Sequence, residues 1–414
     1  MVSLVHVPVF RFRGAVRFAA IVVFAALILA PAAGEFCVPH LAATVAESGM
    51  KPLPALGATP ATWLGFFNVL RGGYLEKHFG FRGQLISGYN YINTYLLKSS
   101  HSANPVVMGR DSWLFLSQDG PDRNLLEDFR SNAPLPEDKM RRMLDDLIAR
   151  RDWCAARGIA YVVVVAPNKN TVYPEKLPKA FSRPAKESHL DQMLRYLAAH
   201  PGLDVVDLRP ALRAAKDENQ IFYVTDSHWN AYGAFAAYRE IMRHLTRYFP
   251  DMRPFERGDF TAVEYSGLPG DLAFLLGLQK LLPEPRVIFL NAAGGARARG
   301  ATYPSSPNAA YFQPPVASEI VGPAGEGLPR AVFFHDSFFW ELLPFFAEHF
   351  RYAVYAWMTP QTETEPRCFD KALIEREKPD VVVEEFTERY FVPSGKPLRT
   401  AGRPAAEEEA GKGK

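Results

Sequence analysis

An acidic residue and a histidine separated by a single residue, Asp226 and His228, form the first pairing in this chain that could do chemistry. A carboxylate so close to an imidazole can accept a hydrogen bond from ring Nδ1, which fixes the tautomer and leaves Nε2 free to take a proton. Such a base needs a nucleophile, and Ser337 follows the strand-like apolar run 331–335. A serine on the turn after a strand is a typical nucleophile position in an α/β protein. These residues predict a Ser-His-Asp relay.

The same residues also have a structural interpretation. Asp226 and Ser227 could cap the helix that we expect after His228, and Ser337 could cap a helix of its own. The coincidence of an acid-base pair, a serine after a strand and a leader for export favours catalysis over capping.

The composition excludes several classes of function. With 414 residues, 48% of them hydrophobic, the chain can bury a large core in one or two domains. A formal net charge of +2 gives no strong field, so nucleic-acid binding is not expected. The histidines outside the motif lack the spacing of metal ligands, and we predict no metal and no cofactor. The three cysteines, Cys37, Cys154 and Cys368, leave room for one disulfide of undetermined pairing.

The N-terminal segment is typical of export. Arg11, Arg13 and Arg17 precede the apolar run 18–30, and small residues follow up to Gly34. This is the pattern of a signal peptide, and the run also approaches the roughly 17–25 residues that cross a bilayer. The sequence leaves a cleaved leader and an anchor open, and either one carries the rest of the chain out of the cytoplasm.

Strand and helix patterns alternate through the rest of the chain. The apolar run 159–165 is rich in β-branched residues and predicts a strand buried on both faces, as in a parallel sheet covered by helices. The predicted strands are 159–165, 203–208, 331–335, 352–357 and 379–384. The predicted helices are 136–156, 188–199, 231–249, 342–349 and 371–377. This alternation predicts an α/β fold with right-handed crossovers. We expect a hairpin at 106–116, a helical preamble before it, and irregular loops from 250 to 327 broken by the segment 270–277.

With these motifs in order, the chain resembles the SGNH-like acetyltransferases of the alginate O-acetylation type (AlgJ and AlgX) over residues 66–391. The motifs that carry the resemblance are Phe79–Arg82, Gly109–Phe115, Pro167–Lys169, Val172–Pro174, Asp226–Asn230, Gly270–Leu272 and Asp336–Phe338. The resemblance implies a three-layer αβα SGNH-hydrolase-like fold with a parallel sheet. Because the acid and base precede the serine here, it also implies a circular permutation.

The resemblance further implies a role for each site residue. Ser337 would carry an acetyl group, His228 would move its proton and Asp226 would orient the imidazole. The acceptor would be a hydroxyl of an exported, alginate-like polysaccharide. A membrane-bound acetyl-transporting O-acyltransferase and other polysaccharide modification and export proteins would be partners, in the periplasm, with the leader as an inner-membrane anchor. An acetylesterase and a non-catalytic scaffold of the same machinery are the alternatives.

Further site residues are predicted at loop ends. The candidates for substrate binding are Asn168, Lys169, Tyr173, Asp271 and Arg389. Lys169 could instead be a solvated loop lysine, and Asp271 could be structural. The backbone N–H of Ser337 is an expected oxyanion donor, and the second donor stays open.

Two positions depart from ordinary SGNH members. His335 stands where a glycine usually precedes Asp-Ser, and the strand ending at Glu384 and Glu385 lacks the motif that supplies an asparagine. The predicted domains are a leader (1–34), a linker with helical preamble (35–105), a catalytic domain (106–397) and a disordered tail (398–414).

Overall fold

The computed structural model describes residues 18–19, 21–26, 59–69, 82–98, 105–120, 123–131, 134–181, 186–291, 297–301, 303, 313–358 and 369–391. The chain divides into two compact units, Met1–Leu97 and Lys98–Lys414. Most of the predicted leader, the motif at 79–81 and the predicted tail lie outside the described residues.

The first unit is helical where it is described. Helix α1 spans Pro60–Val69 and helix α2 spans Arg82–Tyr91, which continues as a π-helical turn over Ile92–Leu96. The helix predicted for the preamble is therefore confirmed at 82–96. None of the helices in the described part of the chain has the length and apolar character needed to span a bilayer.

The second unit is built on a seven-stranded sheet with the order β4-β3-β11-β9-β10-β8-β7. The strands are β1 Val106–Met108, β2 Leu114–Leu116, β3 Ala160–Ala166, β4 Asp204–Asp207, β5 Phe260–Pro269, β6 Pro283–Asn291, β7 Arg299–Ala301, β8 Val316–Glu319, β9 Arg330–His335, β10 Tyr352–Trp357 and β11 Val381–Thr387. The five predicted strands, now β3, β4, β9, β10 and β11, pair in parallel. The sheet is mixed rather than wholly parallel, because β8 and β7 add antiparallel pairings at one edge.

Helices cover both faces of the sheet. Those of the second unit are α3 Leu125–Arg130, α4 Glu137–Ala155, α5 Lys169–Val172, α6 His189–Ala198, α7 Arg209–Lys216, α8 Ala231–Leu245, α9 Asp271–Leu275, α10 Leu343–Ala347, α11 Lys371–Glu377 and α12 Glu388–Phe391. Alternate residues of β3 enter different cores, as the two-residue period of a strand requires. Val162 and Val164 pack with residues of α8, and Val163 and Val165 with residues of α4 and α6. The predicted three-layer αβα architecture is confirmed.

The expectation of irregular loops from 250 to 327 is wrong over much of its length. Strands β5 and β6 form a long antiparallel hairpin with a register shift between Tyr265 and Leu268. The sequence did not predict strand β6 because it contains Pro283 and Pro285, and proline is uncommon in paired strands. The same hairpin positions the candidate site.

Candidate active site

The acid and base lie at the tip of a closed loop that precedes α8. Phe222 and Trp229 form an antiparallel bridge across the base of the loop, and the Asn230 amide donates to the Ile221 carbonyl (3.0 Å). Asn230 also caps α8, because its Oδ1 accepts from the amides of Tyr232 and Gly233. The alternative in which Asp226 or Ser227 caps this helix is therefore wrong, and both side chains are free for other contacts.

The nucleophile lies on a tight turn at the carboxyl end of β9. Asp336 caps the 3-10 helix Ser337–Glu341, accepting from the Phe338 amide (3.0 Å). The neighbouring strand β11 holds this cap, since Asp336 Oδ2 accepts from the amide and hydroxyl of Thr387, and Glu385 accepts from the Asp336 amide. Ser337 is not the cap, and its hydroxyl is partly exposed at the edge of the sheet.

The two loops meet, and the three predicted side chains form one hydrogen-bonded line. Ser337 Oγ lies 2.8 Å from His228 Nε2, and His228 Nδ1 lies 2.7 Å from Asp226 Oδ1. The imidazole also packs on the ring of Phe338, with centroids 4.7 Å apart. A hydroxyl, a base and a buried acid in this order can activate the serine as a nucleophile.

The charges of the pair stabilise each other. Burial lowers the pKa of His228, but the hydrogen bond and negative charge of Asp226 raise it by more, so the pKa lies above its ordinary value. Burial raises the pKa of Asp226, but the hydrogen bonds and charges of His228 and Arg286 outweigh burial and lower that pKa. These shifts favour an ionised Asp226 carboxylate beside the imidazole.

The hairpin β5–β6 supplies a cation that the sequence did not predict. Arg286 Nη2 donates to Asp226 Oδ2 (2.8 Å), the oxygen that His228 does not use. Two residues earlier on the same strand, Glu284 accepts from the Val224 and Thr225 amides and from the Thr225 hydroxyl. Residues two apart on a strand point to the same side, so one short stretch of β6 binds the whole acid-side arm of the loop.

Lys169 hydrogen-bonds to the backbone of the acid-base loop. The side chain is buried, and Nζ donates to the carbonyls of Leu114, Val224 and Asp226 (2.7–2.9 Å). Burial lowers the pKa of this lysine to about 7. The alternative of a solvated loop lysine is wrong, and the contacts of Lys169 position the acid rather than reach outward.

Tyr173 is also internal. Its ring lies 4.4 Å from that of Trp113, and its hydroxyl accepts from the Ile221 amide (3.0 Å). The substrate-binding role predicted for Lys169 and Tyr173 stays a prediction, because their observed hydrogen bonds are to backbone groups inside the protein.

Of the three remaining predicted residues, Asp271 and Arg389 lie beside the relay, and Asn168 contacts Arg389. Asp271, at the start of α9, accepts from the amide and hydroxyl of Ser227 and lies 3.6 Å from His228 Nδ1. Arg389 lies 5.5 Å from the Phe338 ring and binds both Asp119 (2.9 Å) and the Asn168 side chain (3.3 Å). Their substrate roles stay predictions, and their positions beside Phe338 and His228 are compatible with them.

The two departures from ordinary members have local explanations. His335 Nδ1 donates to the Asp336 carbonyl (2.7 Å), and its ring stacks on Trp357 at 6.3 Å. Glu384 pairs with Arg150 inside the core, while Glu385 holds the Asp336 amide. In the described part of the chain, the Ser337 amide N–H meets no hydrogen-bond acceptor, as an oxyanion donor requires.

Asp226, His228 and Asp271 are the one group in the described residues whose ligand atoms lie close enough together to hold a metal ion, within 4.8 Å. Their donor atoms are already engaged. His228 Nδ1 and Arg286 bind Asp226, and Ser227 binds Asp271. This arrangement suits a proton relay better than a metal centre, and the absence of a metal stays a prediction.

Comparison with known proteins places these residues in a family context. Residues 106–290 match the family model described as SGNH hydrolase-like domain, acetyltransferase AlgX. This region includes Asp226 and His228 and ends before Ser337. The "probable alginate O-acetylase AlgJ" of Pseudomonas syringae pv. tomato is 28% identical over 185 residues, which is 44% of each chain. The protein of the same name in Pseudomonas aeruginosa is 33% identical over 139 residues, 32% of each chain.

These matches span less than half the length of the curated relatives. Among solved structures, Bacillus cereus PatB1 with a sulfonyl adduct has a TM-score of 0.50 at 13% identity, covering 71% of this chain and 99% of that one. That likeness concerns the fold alone. The SGNH-hydrolase-like fold is confirmed, and so is the resemblance for the motifs that lie within residues 106–290.

Proposed function

We propose that this chain, whose residues 106–290 match the SGNH hydrolase-like AlgX acetyltransferase domain, is an O-acetyltransferase that acts through an acetyl-serine intermediate. The observation that carries the proposal is the line of hydrogen bonds from Ser337 through His228 to Asp226. The catalytic domain would span residues 106–397. The curated relatives are named as alginate O-acetylases, which supports a hydroxyl of an alginate-like exported polysaccharide as the acceptor.

The first half-reaction loads the enzyme. Ser337 Oγ attacks the carbonyl carbon of an acetyl donor while His228 Nε2 takes the hydroxyl proton. A tetrahedral oxyanion forms, and the Ser337 amide N–H is positioned to donate to it. When the oxyanion collapses, the bond to the leaving group breaks, and that group departs with the proton from His228. Ser337 is then an acetyl ester.

The second half-reaction repeats these steps with a sugar. A sugar hydroxyl attacks the acetyl carbon and gives its proton to His228 Nε2. Collapse of the second oxyanion breaks the bond to Ser337 Oγ, which regains a proton from His228. Throughout, Asp226 faces the positively charged form of the imidazole and stabilises it. Arg286 and the hairpin keep that carboxylate in place.

The predicted partners and compartment belong to this proposal. The N-terminal arginines and apolar run support export to the periplasm, with the leader as an inner-membrane anchor. There, a membrane-bound O-acyltransferase would bring acetyl groups to Ser337, and other modification and export proteins would present the polysaccharide.

Mass spectrometry of the intact chain after incubation with 4-nitrophenyl acetate tests the intermediate. We expect the mass increase of one acetyl group, located on the peptide that contains Ser337, and no increase in Ser337→Ala. Labelling that persists in the alanine variant would contradict the assignment of the nucleophile.

Addition of de-O-acetylated alginate oligosaccharides then tests the transfer. Acetylated sugar is the expected product. Free acetate alone would favour an acetylesterase. A chain that forms no adduct, with glycan acetylation in cells unchanged by Ser337→Ala, would favour a scaffold.

A further inference from the structure

The 3-10 helix that begins at Ser337 ends in two side chains that the proposed chemistry does not use, Trp340 and Glu341. In a 3-10 helix, side chains three residues apart eclipse one another, and each residue rises about 2 Å. Trp340 therefore lies on the same side of the helix as Ser337, one turn and about 6 Å further along. With 39% of its surface exposed, it is the exposed aromatic beside the nucleophile.

Aromatic packing fixes the position of the Trp340 side chain. Its ring lies edge-on to Trp357, with centroids 5.6 Å apart, and to His335 at 6.1 Å. An aromatic side chain fixed by such packing has little freedom left to lose when a ligand stacks on it. The negative face of an indole attracts the polarised C–H bonds on the apolar face of a sugar ring.

Glu341 approaches the relay from the other side. It eclipses Phe338, whose ring packs on the His228 imidazole at 4.7 Å. Burial raises the pKa of this carboxyl, while the nearby charges of Arg286 and His228 act in the opposite direction. Within the described residues, the carboxylate has neither a hydrogen-bond nor an ion-pair partner. The Glu341 side chain is partly exposed. Its carboxylate is therefore accessible to a ligand hydroxyl, which would donate to it in place of water.

We propose that Trp340 and Glu341 form the acceptor subsite, in which the indole stacks on a pyranose ring and the carboxylate accepts from a ring hydroxyl. The adjacent hydroxyl is thereby brought to His228 Nε2 and the acetyl carbon on Ser337. This inference rests on the proposed function and adds the residues that bind the acceptor sugar. Glu341 repels an anionic group, so the carboxylate of a uronic acid would point away from it.

The subsite predicts a change in how the acetyl-enzyme is consumed. With 4-nitrophenyl acetate as donor and de-O-acetylated alginate oligosaccharides as acceptor, the full chain partitions acetyl groups between sugar and water. We expect Trp340→Ala and Glu341→Gln each to lower the ratio of acetylated sugar to free acetate about five- to tenfold, because the first removes the stacking surface and the second weakens the hydrogen bond to the sugar. Trp340→Phe, which keeps an aromatic face, should retain more transfer than Trp340→Ala.

Glu326→Gln is the matched control. Glu326 is exposed and precedes β9, at the opposite end of that strand from Ser337. The Glu326→Gln variant should therefore give the same ratio of acetylated sugar to free acetate as the unmodified chain. Measuring the nitrophenolate burst for every variant reports separately on the first half-reaction.

The outcomes separate this subsite from the proposed function. If the unmodified chain releases only acetate, the acetyltransferase proposal fails. If it transfers acetyl groups and both variants keep its ratio, the subsite is overturned and the acetyltransferase proposal stands. A parallel loss of burst and transfer in both variants also overturns the subsite, because the side chains would then serve the Ser337 turn rather than the sugar.

Discussion

At the scale of single residues, Asp226 is bound on both carboxylate oxygens. The ring Nδ1 and the backbone amide of His228 both hydrogen-bond to Oδ1, and Arg286 donates to Oδ2. The acid therefore has one orientation, and its charge acts on the imidazole along a fixed direction. The pH dependence of the reaction should report on this arrangement.

Asp226→Asn should move the acid limb of activity to lower pH. His228 Nε2 accepts a proton only when neutral, so activity rises with pH through the pKa of His228, which Asp226 holds above its ordinary 6.5. Without the carboxylate of Asp226, burial and the charge of Arg389 lower that pKa, and the charge of Asp271 offsets them only in part. The rate on the plateau should fall about a thousandfold or more, because the tautomer is no longer fixed. The check is a pH profile of kcat/KM for 4-nitrophenyl acetate, and an unmoved acid limb would contradict the assignment.

Arg286→Met should shift the same limb in the opposite direction. Loss of a positive charge beside Asp226 favours the protonated imidazole, so the pKa of His228 rises and the limb moves to higher pH. A charge-assisted hydrogen bond contributes roughly 1.5–3 kcal/mol, which corresponds to a fall in kcat of about 10- to 100-fold. Arg286→Lys keeps the charge and should preserve the position of the limb. Identical profiles for the methionine and lysine variants would show that Arg286 acts only through packing.

The sequence could identify the relay but not its support. Asp226, His228 and Ser337 were predictable because their residue types and spacing are specific to a chemistry. Arg286 was not, because its role depends on a contact with a residue 60 positions away. The short apolar run Val287–Leu290, with two β-branched residues, was the signal that could have located its strand.

At the scale of elements, the backbone at the end of the β5 strand lies in close contact with the backbone of the acid-base loop. A Cβ on Gly270 would lie 2.1 Å from the Thr225 carbonyl oxygen and 2.6 Å from the Asp226 amide nitrogen. The glycine follows β5 directly and begins the turn into α9, whose first residue is Asp271. Close backbone approach at this point holds the hairpin against the acid.

Gly270→Ala should therefore damage stability and activity together. The added methyl must push the loop at 225–226 away, and overpacking of this kind costs about 1–3 kcal/mol. The shift also displaces Asp226, so kcat should fall at least as far as in Arg286→Met. Urea unfolding and steady-state kinetics measure the two effects.

Gly258→Ala provides the control for this prediction. A Cβ there would meet no atom within 4 Å, and the residue does not have a positive φ. Its stability and kcat should be those of the unmodified chain. Equal behaviour of the two alanine variants would contradict the close approach at Gly270.

Regular elements with local signals were predictable, and paired elements in a polar context were not. The five parallel strands were predictable from their buried apolar runs, and the helices between them from caps such as Ser188 and Asp370. Strands β5 to β7 are exposed along much of their length and contain proline or glycine, so their pairing partners decide their structure.

At the scale of the whole molecule, a buried charge pair ties a helix to the central sheet. Arg150 on α4 pairs with Glu384 on β11, and both side chains have no exposed surface. Tyr161 on β3 donates its hydroxyl to the other oxygen of Glu384 (2.6 Å). The next residue on β11, Glu385, holds the amide of Asp336, so the same strand connects the core to the turn that carries Ser337.

Arg150→Met should destabilise the fold strongly, because it leaves the Glu384 carboxylate buried without its cation. Removing one partner of a buried pair costs about 3–5 kcal/mol. Adding Glu384→Gln to this variant removes the unpaired charge while keeping an acceptor for Tyr161, and should restore part of the loss. Chemical denaturation measures both changes. The nitrophenolate burst should persist in each variant wherever the chain is folded, since neither residue contacts the relay. A double variant less stable than Arg150→Met would show that the pair does not act as a charge pair, and that Glu384 holds β11 through its packing.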